Sequence, residues 1–241
     1  MDQSTDALAR HIELPLLAPV LSEDQVHAGL LVAREYGLGS VCVRPCDVDL
    51  AARSLSMSEV RLCAAIGYPD GSSTPGTKLY EARDALRRGA RELAAVVNLG
   101  MMYSRQFVRV ETELLQLVEV CRESGAVLKA VFEFSVMNHE LRIIACKLAR
   151  RTGVQVVVNS TGRVRQEDFE GEIEVALARR FEKFAVQAVG NVETWEQAVS
   201  LVERGVARVT VRKPEELLEA HRRQRGQTVA NAATSTPSLN R

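Results

Sequence analysis

The chain has 241 residues, 46% hydrophobic and 26% charged, which suits one sizeable core. Its 31 basic and 31 acidic residues cancel, and a neutral chain argues against generic nucleic-acid or membrane-surface binding. No apolar run reaches transmembrane length, and the start, MDQSTDALAR, has no signal-peptide core, so a cytoplasmic protein is expected.

In chain order, residues 1–10 read as a short polar helix or arm, and Ile12–Leu17 as a first strand closed by Pro19. Ser22-Glu-Asp-Gln25 is a capping box that starts a helix to Gly37. Ser40–Val43 is a strand stopped by Pro45, and Asp47–Leu55 a short helix. Val60–Ile66 is a strand that opens into the turn-rich Gly67-Tyr-Pro-Asp-Gly71 loop, followed by a helix over Thr74–Gly89. Leu93–Leu99 is a strand, and Ser104–Ser124 a long helix with apolar positions at Val108, Leu114, Leu115 and Val118. Val127–Phe134 is a strand and Asn138–Arg151 a helix closed by Gly153. Val154–Val158 is a run of β-branched residues with one Gln in it, the signature of a strand buried on both faces. Arg165–Arg180 is helical, Phe184–Val189 a strand, and Thr194-Trp-Glu-Gln197 a second capping box for a helix to Gly205. Ala207–Arg212 is the last strand, and Pro214 leads a final helix to about Arg223. The remaining GQTVANAATSTPSLNR has little to bury and reads as disordered.

Eight strand-then-helix units imply parallel crossovers, and at this length a closed (β/α)8 barrel over residues 1–223, with a disordered tail over 224–241. An open doubly wound sheet is the alternative. No G-x-G-x-x-G or G-K-S/T turn occurs, which removes the two commonest nucleotide cradles, and no cofactor is indicated.

In such a barrel function sits at the C-terminal ends of the strands. Those ends carry Arg44, Asn98, Glu133, Asn159, Ser160, Thr161, Arg163, Gln187, Asn191, Arg212 and Lys213. The set is polar and tilts basic, which points to a small anionic metabolite; a merely solvated rim would also be polar. The turn Asn159-Ser-Thr-Gly162 offers backbone N–H groups and hydroxyls to an anion. Lys129, Val131 and Glu133 share a strand face, so a lysine in the barrel interior needs a partner, with Glu13 or Glu92 in position to supply one. It is either a structural ion pair or a desolvated, reactive amine. The five cysteines are an odd set of core thiols, and Cys42-Val-Arg-Pro-Cys46 has no second pair to complete a metal site. The four histidines pair with no cysteine or serine at a meaningful spacing.

One set of motifs runs through the chain: Ser40-Val-Cys-Val-Arg-Pro45, Ala65-Ile-Gly-Tyr-Pro69 with Thr77-Lys78 and Glu81-Ala82-Arg83, and Gly89-Ala-Arg-Glu92. Val96-Val-Asn-Leu-Gly100, Leu128-Lys129 through Glu133, and Ser160-Thr-Gly162 complete it. On these residues the chain resembles the deoxyribose-phosphate aldolases over most of residues 12–212. The resemblance implies a (β/α)8 barrel that cleaves 2-deoxyribose 5-phosphate through a lysine Schiff base. It also implies that the catalytic set is missing. Val158 stands where the resemblance places the Schiff-base lysine, Ala94 where it places the proton-relay aspartate, and Gln187 where it places the second lysine. The resemblance implies small residues around the phosphate, but Asn191 follows Gly190 and Arg212-Lys213 stand where small residues are expected, and Glu13-Leu-Pro15 replaces Asp-His-Thr on the first strand. Valine cannot form an iminium, and neither alanine nor glutamine shuttles protons at neutral pH. The expectation is therefore a non-catalytic barrel that binds a small anion or phosphosugar and acts as a regulatory or partner protein. An aldolase relocated onto Lys129, or a structural subunit of a homo- or hetero-oligomer, are the alternatives. The expected ligand contacts are Asn98, Glu133, Asn159, Ser160, Thr161, Gly162, Gly190, Asn191, Arg212 and Lys213.

Overall fold

A computed structural model describes residues 5–179 and 183–223 of the chain. The tail expected to be disordered, 224–241, lies outside the described residues, as do 1–4 and the end of the helix expected to reach Arg180.

Eight parallel strands close into a barrel in sequence order. They are β1 (Ile12–Leu16), β2 (Ser40–Val43), β3 (Arg61–Ile66), β4 (Glu92–Val96), β5 (Val127–Val131), β6 (Val156–Val158), β7 (Ala185–Val189) and β8 (Arg208–Thr210). The helices are α1 (Thr5–Ala9), α2 (Glu23–Glu35), α3 (Val48–Ser54), α4 (Pro75–Arg87), α5 (Leu99–Tyr103), α6 (Phe107–Glu123), α7 (His139–Thr152), α8 (Phe169–Ala178) and α9 (Trp195–Glu203). A further helix covers 214–223. Both expected capping boxes form: Ser22 and Thr194 accept from the backbone N–H of Gln25 and Gln197, whose side chains return the bond.

Alternation along each strand separates two cores. Outward residues such as Leu14, Val41, Leu62, Leu93, Leu128, Val157, Val186 and Val209 pack under the helices in one large cluster. Inward residues form two small clusters, Cys42–Cys63–Ala65 and Val96–Val131–Val158. Because both faces are buried, the strands read as nearly continuous apolar runs.

Several expected boundaries move, each for a local reason. The strand expected to reach Leu99 ends at Val96, because the Asn98 side chain accepts from Met101 N and starts α5. The long helix begins at Phe107, since Arg105 takes a positive φ of 54° that breaks it from α5. Val108 and Leu115, expected on its apolar face, are exposed; the buried stripe is Val110, Leu114, Leu117, Val120 and Cys121. Glu113 shares that stripe as the partner of a buried lysine, so a charged residue hid the true period. The strand expected over Val127–Phe134 stops at Val131, with Glu133 at φ 50° leading into a short turn of 3-10 helix. The helix expected from Arg165 starts at Phe169, capped by the Asp168 side chain, because Gln166 turns inward to bond Val189 O.

Candidate active site

The C-terminal mouth of the barrel holds a cavity of about 530 Å³. Its lower walls come from inward residues of successive strands: Cys42, Ala65, Ala94, Val96, Val131, Val158, Gln187 and Val189. Its upper rim is built from Leu17, Ala18 and Leu21 after β1, Tyr68 after β3, Ser160–Gln166 after β6, Gly190 and Asn191 after β7, and Arg212 after β8.

Val158 sits at the centre of the apolar wall. It pairs in register with Val131 on β5 and Gln187 on β7, and packs with Val96. Ala94 lies beside Lys129 on the neighbouring strand. No lysine is among the described residues that line the cavity.

Beneath that wall the barrel is closed by a charged layer. The Lys129 ammonium donates to Glu13 and, at 2.6 Å, pairs with Glu92, and all three side chains are buried. Glu92 also accepts from Arg208 at 3.0 and 3.1 Å and faces Arg61 at 3.6 Å, so two acids meet three bases. Ser40 Oγ donates to Glu13 at 2.7 Å and Gln187 Nε2 to its other oxygen at 2.5 Å. Burial drives the Glu13 carboxyl up, but the charge and hydrogen bond of Lys129, with Ser40, outweigh it and hold the pKa below the usual carboxylate value. Burial likewise pushes the Lys129 ammonium down, and the Cys63 sulfur, Glu13 and Glu92 reverse this to leave its pKa above that of an ordinary lysine. Both expected partners, Glu13 and Glu92, thus serve the same lysine. Glu13, Cys63 and Glu92 form the one group of metal-type donors close enough together among the described residues. The Lys129 ammonium already contacts both carboxylates, so this donor set fits a protonated amine and not a divalent ion.

The turn after β6 is held from below by Glu133. Its carboxylate accepts from Ser160 Oγ at 2.7 Å, Thr161 N at 2.9 Å, Thr161 Oγ1 at 2.5 Å and Ser135 Oγ at 2.6 Å. Asn159 laces β6 to β7: its Nδ2 donates to Glu172 and Val189 O, and its Oδ1 accepts from Val189 N. Glu172 is fully buried and takes Gln166 Nε2 as a second donor; burial dominates and leaves its carboxyl pKa raised. Gly162 turns with φ +71°, and an added Cβ would meet Val189 at 3.3 Å, so this corner needs glycine. At Gly190 the Phe169 ring leaves no room for a side chain.

The expected ligand residues therefore divide. Ser160, Thr161, Gly162, Gly190, Asn191 and Arg212 line the cavity, with Ala94, Val158 and Gln187 deeper. Glu133 and Asn159 lie behind the turn with their polar atoms engaged, Asn98 caps α5, and Lys213 pairs outside with Glu216 at 2.7 Å. Arg44 is taken by Asp47 and by the carbonyls of Ala18, Pro19 and Leu21, so it fastens the loop after β1 over the mouth. The expected list omitted Tyr68, Leu17 and Gln166. Tyr68 packs against both interior clusters, and burial raises its phenol pKa although Arg163 and Arg212 pull it down. Its place directly after β3 was the available signal. Cys42 also lines the cavity; its hydrogen bond with Cys63 and its burial push the thiol well above the usual range, which makes it a poor nucleophile. No histidine lines the cavity; His11 bonds Ala207 O and His221 stacks on Trp195.

A deoxyribose-phosphate aldolase of Clostridium kluyveri is 34% identical over 202 residues, covering 84% of this chain and 92% of that one. One from Caldanaerobacter subterraneus is 31% identical over 230 residues, covering 92% and 97%. The chain belongs to the deoxyribose-phosphate aldolase family. Among solved structures, an aldolase designated QR15 is 28% identical with a TM-score of 0.84, covering 90% of this chain and 97% of that one. The tetrameric deoxyribose phosphate aldolase of Aeropyrum pernix is 25% identical with a TM-score of 0.84, covering 91% and 92%. A scan against sequence-family models finds no match. Lys78, buried, pairs with Glu113 at 2.7 Å and bonds Val96 O, while Glu81 accepts from Gly67 N; both hold the scaffold around the mouth. Among the described residues of the chain no element is a helix long and apolar enough to cross a membrane.

Proposed function

We propose that this member of the family has given up Schiff-base catalysis and uses the mouth of its barrel to bind a small anion, as a regulatory or partner protein. The observation that carries the reading is the absence of any lysine from the described lining of the cavity, with Val158 at the position where the family resemblance calls for the amine. An iminium needs a neutral amine within reach of a carbonyl. Lys129 is 2% exposed, lies against two carboxylates and has its pKa raised, so it is the wrong protonation state in the wrong place. Ala94 and Gln187 offer no proton relay on either side of the vacated position. Arg163 and Arg212 at the rim favour a negative ligand; phosphosugars are natural candidates. No two cysteines are joined by a disulfide and four of the five are buried, Cys46 being exposed, which fits a reducing, cytoplasmic setting. A homo-oligomer is proposed by analogy with the tetrameric Aeropyrum pernix protein.

The test is borohydride trapping with acetaldehyde or deoxyribose 5-phosphate, read by mass spectrometry beside an active family member. No adduct on this chain is expected, together with heat on titration with anions. An adduct on Lys129, or retro-aldol turnover above background, would overturn the reading.

A further inference from the structure

We propose that the cavity takes a hydroxyl-tipped aliphatic anion, whose terminal O–H donates to Gln187 Oε1, whose unbranched stem lies along the valine wall, and whose carboxylate or phosphate meets Arg163 and Arg212. The inference rests on the anion-binding reading above and narrows its ligand.

Gln187 is 2% exposed and lines the deep part of the cavity. Its Nε2 donates to Glu13 Oε1 at 2.5 Å and Thr210 Oγ1 at 3.0 Å. Glu13 is an ionised carboxylate and can only accept, so the amide cannot be reversed without setting oxygen against oxygen. The orientation leaves Gln187 Oε1 buried with no donor. Ser40, Lys129 and Arg208 donate to the carboxylates of Glu13 and Glu92, and Thr210 Oγ1 accepts from Gln187 Nε2, so among the described residues no donor reaches this oxygen. The neighbouring walls, Ala94, Val131, Val158 and Val189, carry no polar side-chain atom. A donor for this oxygen, a water or a ligand hydroxyl, would reach it from the cavity that Gln187 lines. A site built around such an acceptor discriminates against a ligand that leaves it unpaired.

The same walls set the middle of the ligand. They offer nothing to hydroxyls along the chain, so a polyol would lose those hydrogen bonds on entry, while methylene groups gain by burial. Asn191, level with the rim, lies four residues beyond Gln187. From Gln187 to Val189, where β7 ends, the strand climbs about 5 Å along the barrel axis at about 3.3 Å per residue and a tilt of about 36°, and Asn191 lies beyond that end. A stem of several methylenes bridges that distance.

The experiment is calorimetry on the full chain with hydroxy-terminated butanoate, hexanoate and octanoate. Each is paired with the methyl-terminated acid of equal length (pentanoate, heptanoate, nonanoate), and the set is repeated with alkyl and hydroxyalkyl phosphates. The expected result is at least about tenfold tighter binding of the hydroxylated member at the best length, and loss of that ratio in Gln187→Met. The carboxylate and phosphate arms show which anion the rim prefers. Equal affinity within each pair overturns this inference while leaving the anion-binding reading intact. Heat from no member of either arm overturns it as well. A borohydride adduct strikes the underlying reading instead. The wild-type comparison needs no variant, so a Gln187→Met chain that failed to fold would not blunt the test.

Discussion

Val158 and Gln187 are in-register neighbours across β6 and β7, one apolar and one amide, at the two positions where the family resemblance calls for lysines. On the proposed reading, the pairing explains why the two replacements belong together. A single lysine beside a valine wall would be an unpaired buried charge, and a single valine beside a lysine would leave that lysine without its reaction.

Restoring the amine tests this directly. Val158→Lys places an ammonium against Val96 and Val131, where burial lowers its pKa toward neutrality. We expect borohydride trapping of acetaldehyde on that lysine. Turnover should stay low until Ala94→Asp and Gln187→Lys are added, since proton relays contribute on the order of 10²–10⁴-fold. The single variant should also lose about 2–4 kcal/mol of stability, measured by urea unfolding. Failure of the single variant to trap acetaldehyde while folded would show that the cavity no longer aligns a carbonyl.

Lys129 makes a different prediction. Lys129→Met leaves Glu13 and Glu92 buried with Arg208, Arg61, Ser40 and Gln187 to compensate, and breaking a buried network of this kind costs about 3–5 kcal/mol. The pH dependence has two limits. Glu13 has a folded pKa below its reference value of 4.5, so its contribution is present above that value and is lost as pH falls through the folded pKa. Lys129 has a folded pKa above 10.5, so its contribution is complete below that value and is lost as pH rises through the folded pKa. The gap between wild type and Lys129→Met should therefore be widest on the plateau between, and should narrow in acid and in strong alkali. A gap unchanged across that range would remove the network from the stability of the barrel.

The alternation of apolar strands with capped helices made the barrel readable, and the resemblance fixed which positions to inspect. Lys129 with Glu13 or Glu92 was legible because a charged residue on an inward strand face demands a partner. What stayed hidden was tertiary. Glu133 and Asn159 look like ligand residues by position, yet the structure turns their polar atoms onto the 160–162 turn and onto β7. Val108 and Leu115 look like core by type, yet they face outward while Glu113 is buried by pairing with Lys78. Tyr68 reaches the mouth from a loop whose path no local period encodes.

Glu133 yields a third prediction. Four donors converge on its carboxylate, and a Glu133→Gln amide would turn an N–H₂ toward at least one of them. A loss of about 3 kcal/mol in unfolding free energy is expected. Anion affinity should fall by about tenfold, because the Ser160–Gly162 turn loses the group that orients it. Retention of full anion affinity in a destabilised Glu133→Gln chain would mean that the turn holds its shape unaided and that Glu133 serves folding alone.

The rim arginines separate ligand binding from stability. Arg163 and Arg212 are exposed, and Arg212 donates a hydrogen bond to Gly162 O at 3.2 Å. Arg163→Gln and Arg212→Gln should each leave the urea midpoint nearly unchanged, since exposed substitutions usually stay within about 0.5 kcal/mol. Each should weaken anion binding by about 3–10-fold, and the double variant by the product if the two act independently. Exposed charges are screened by salt, so wild-type affinity should fall as sodium chloride is raised from about 0.05 to 0.3 M, while that of the double variant stays nearly flat. An anion that bound the double variant as tightly as wild type, with the same salt dependence, would move the ligand's charge away from Arg163 and Arg212.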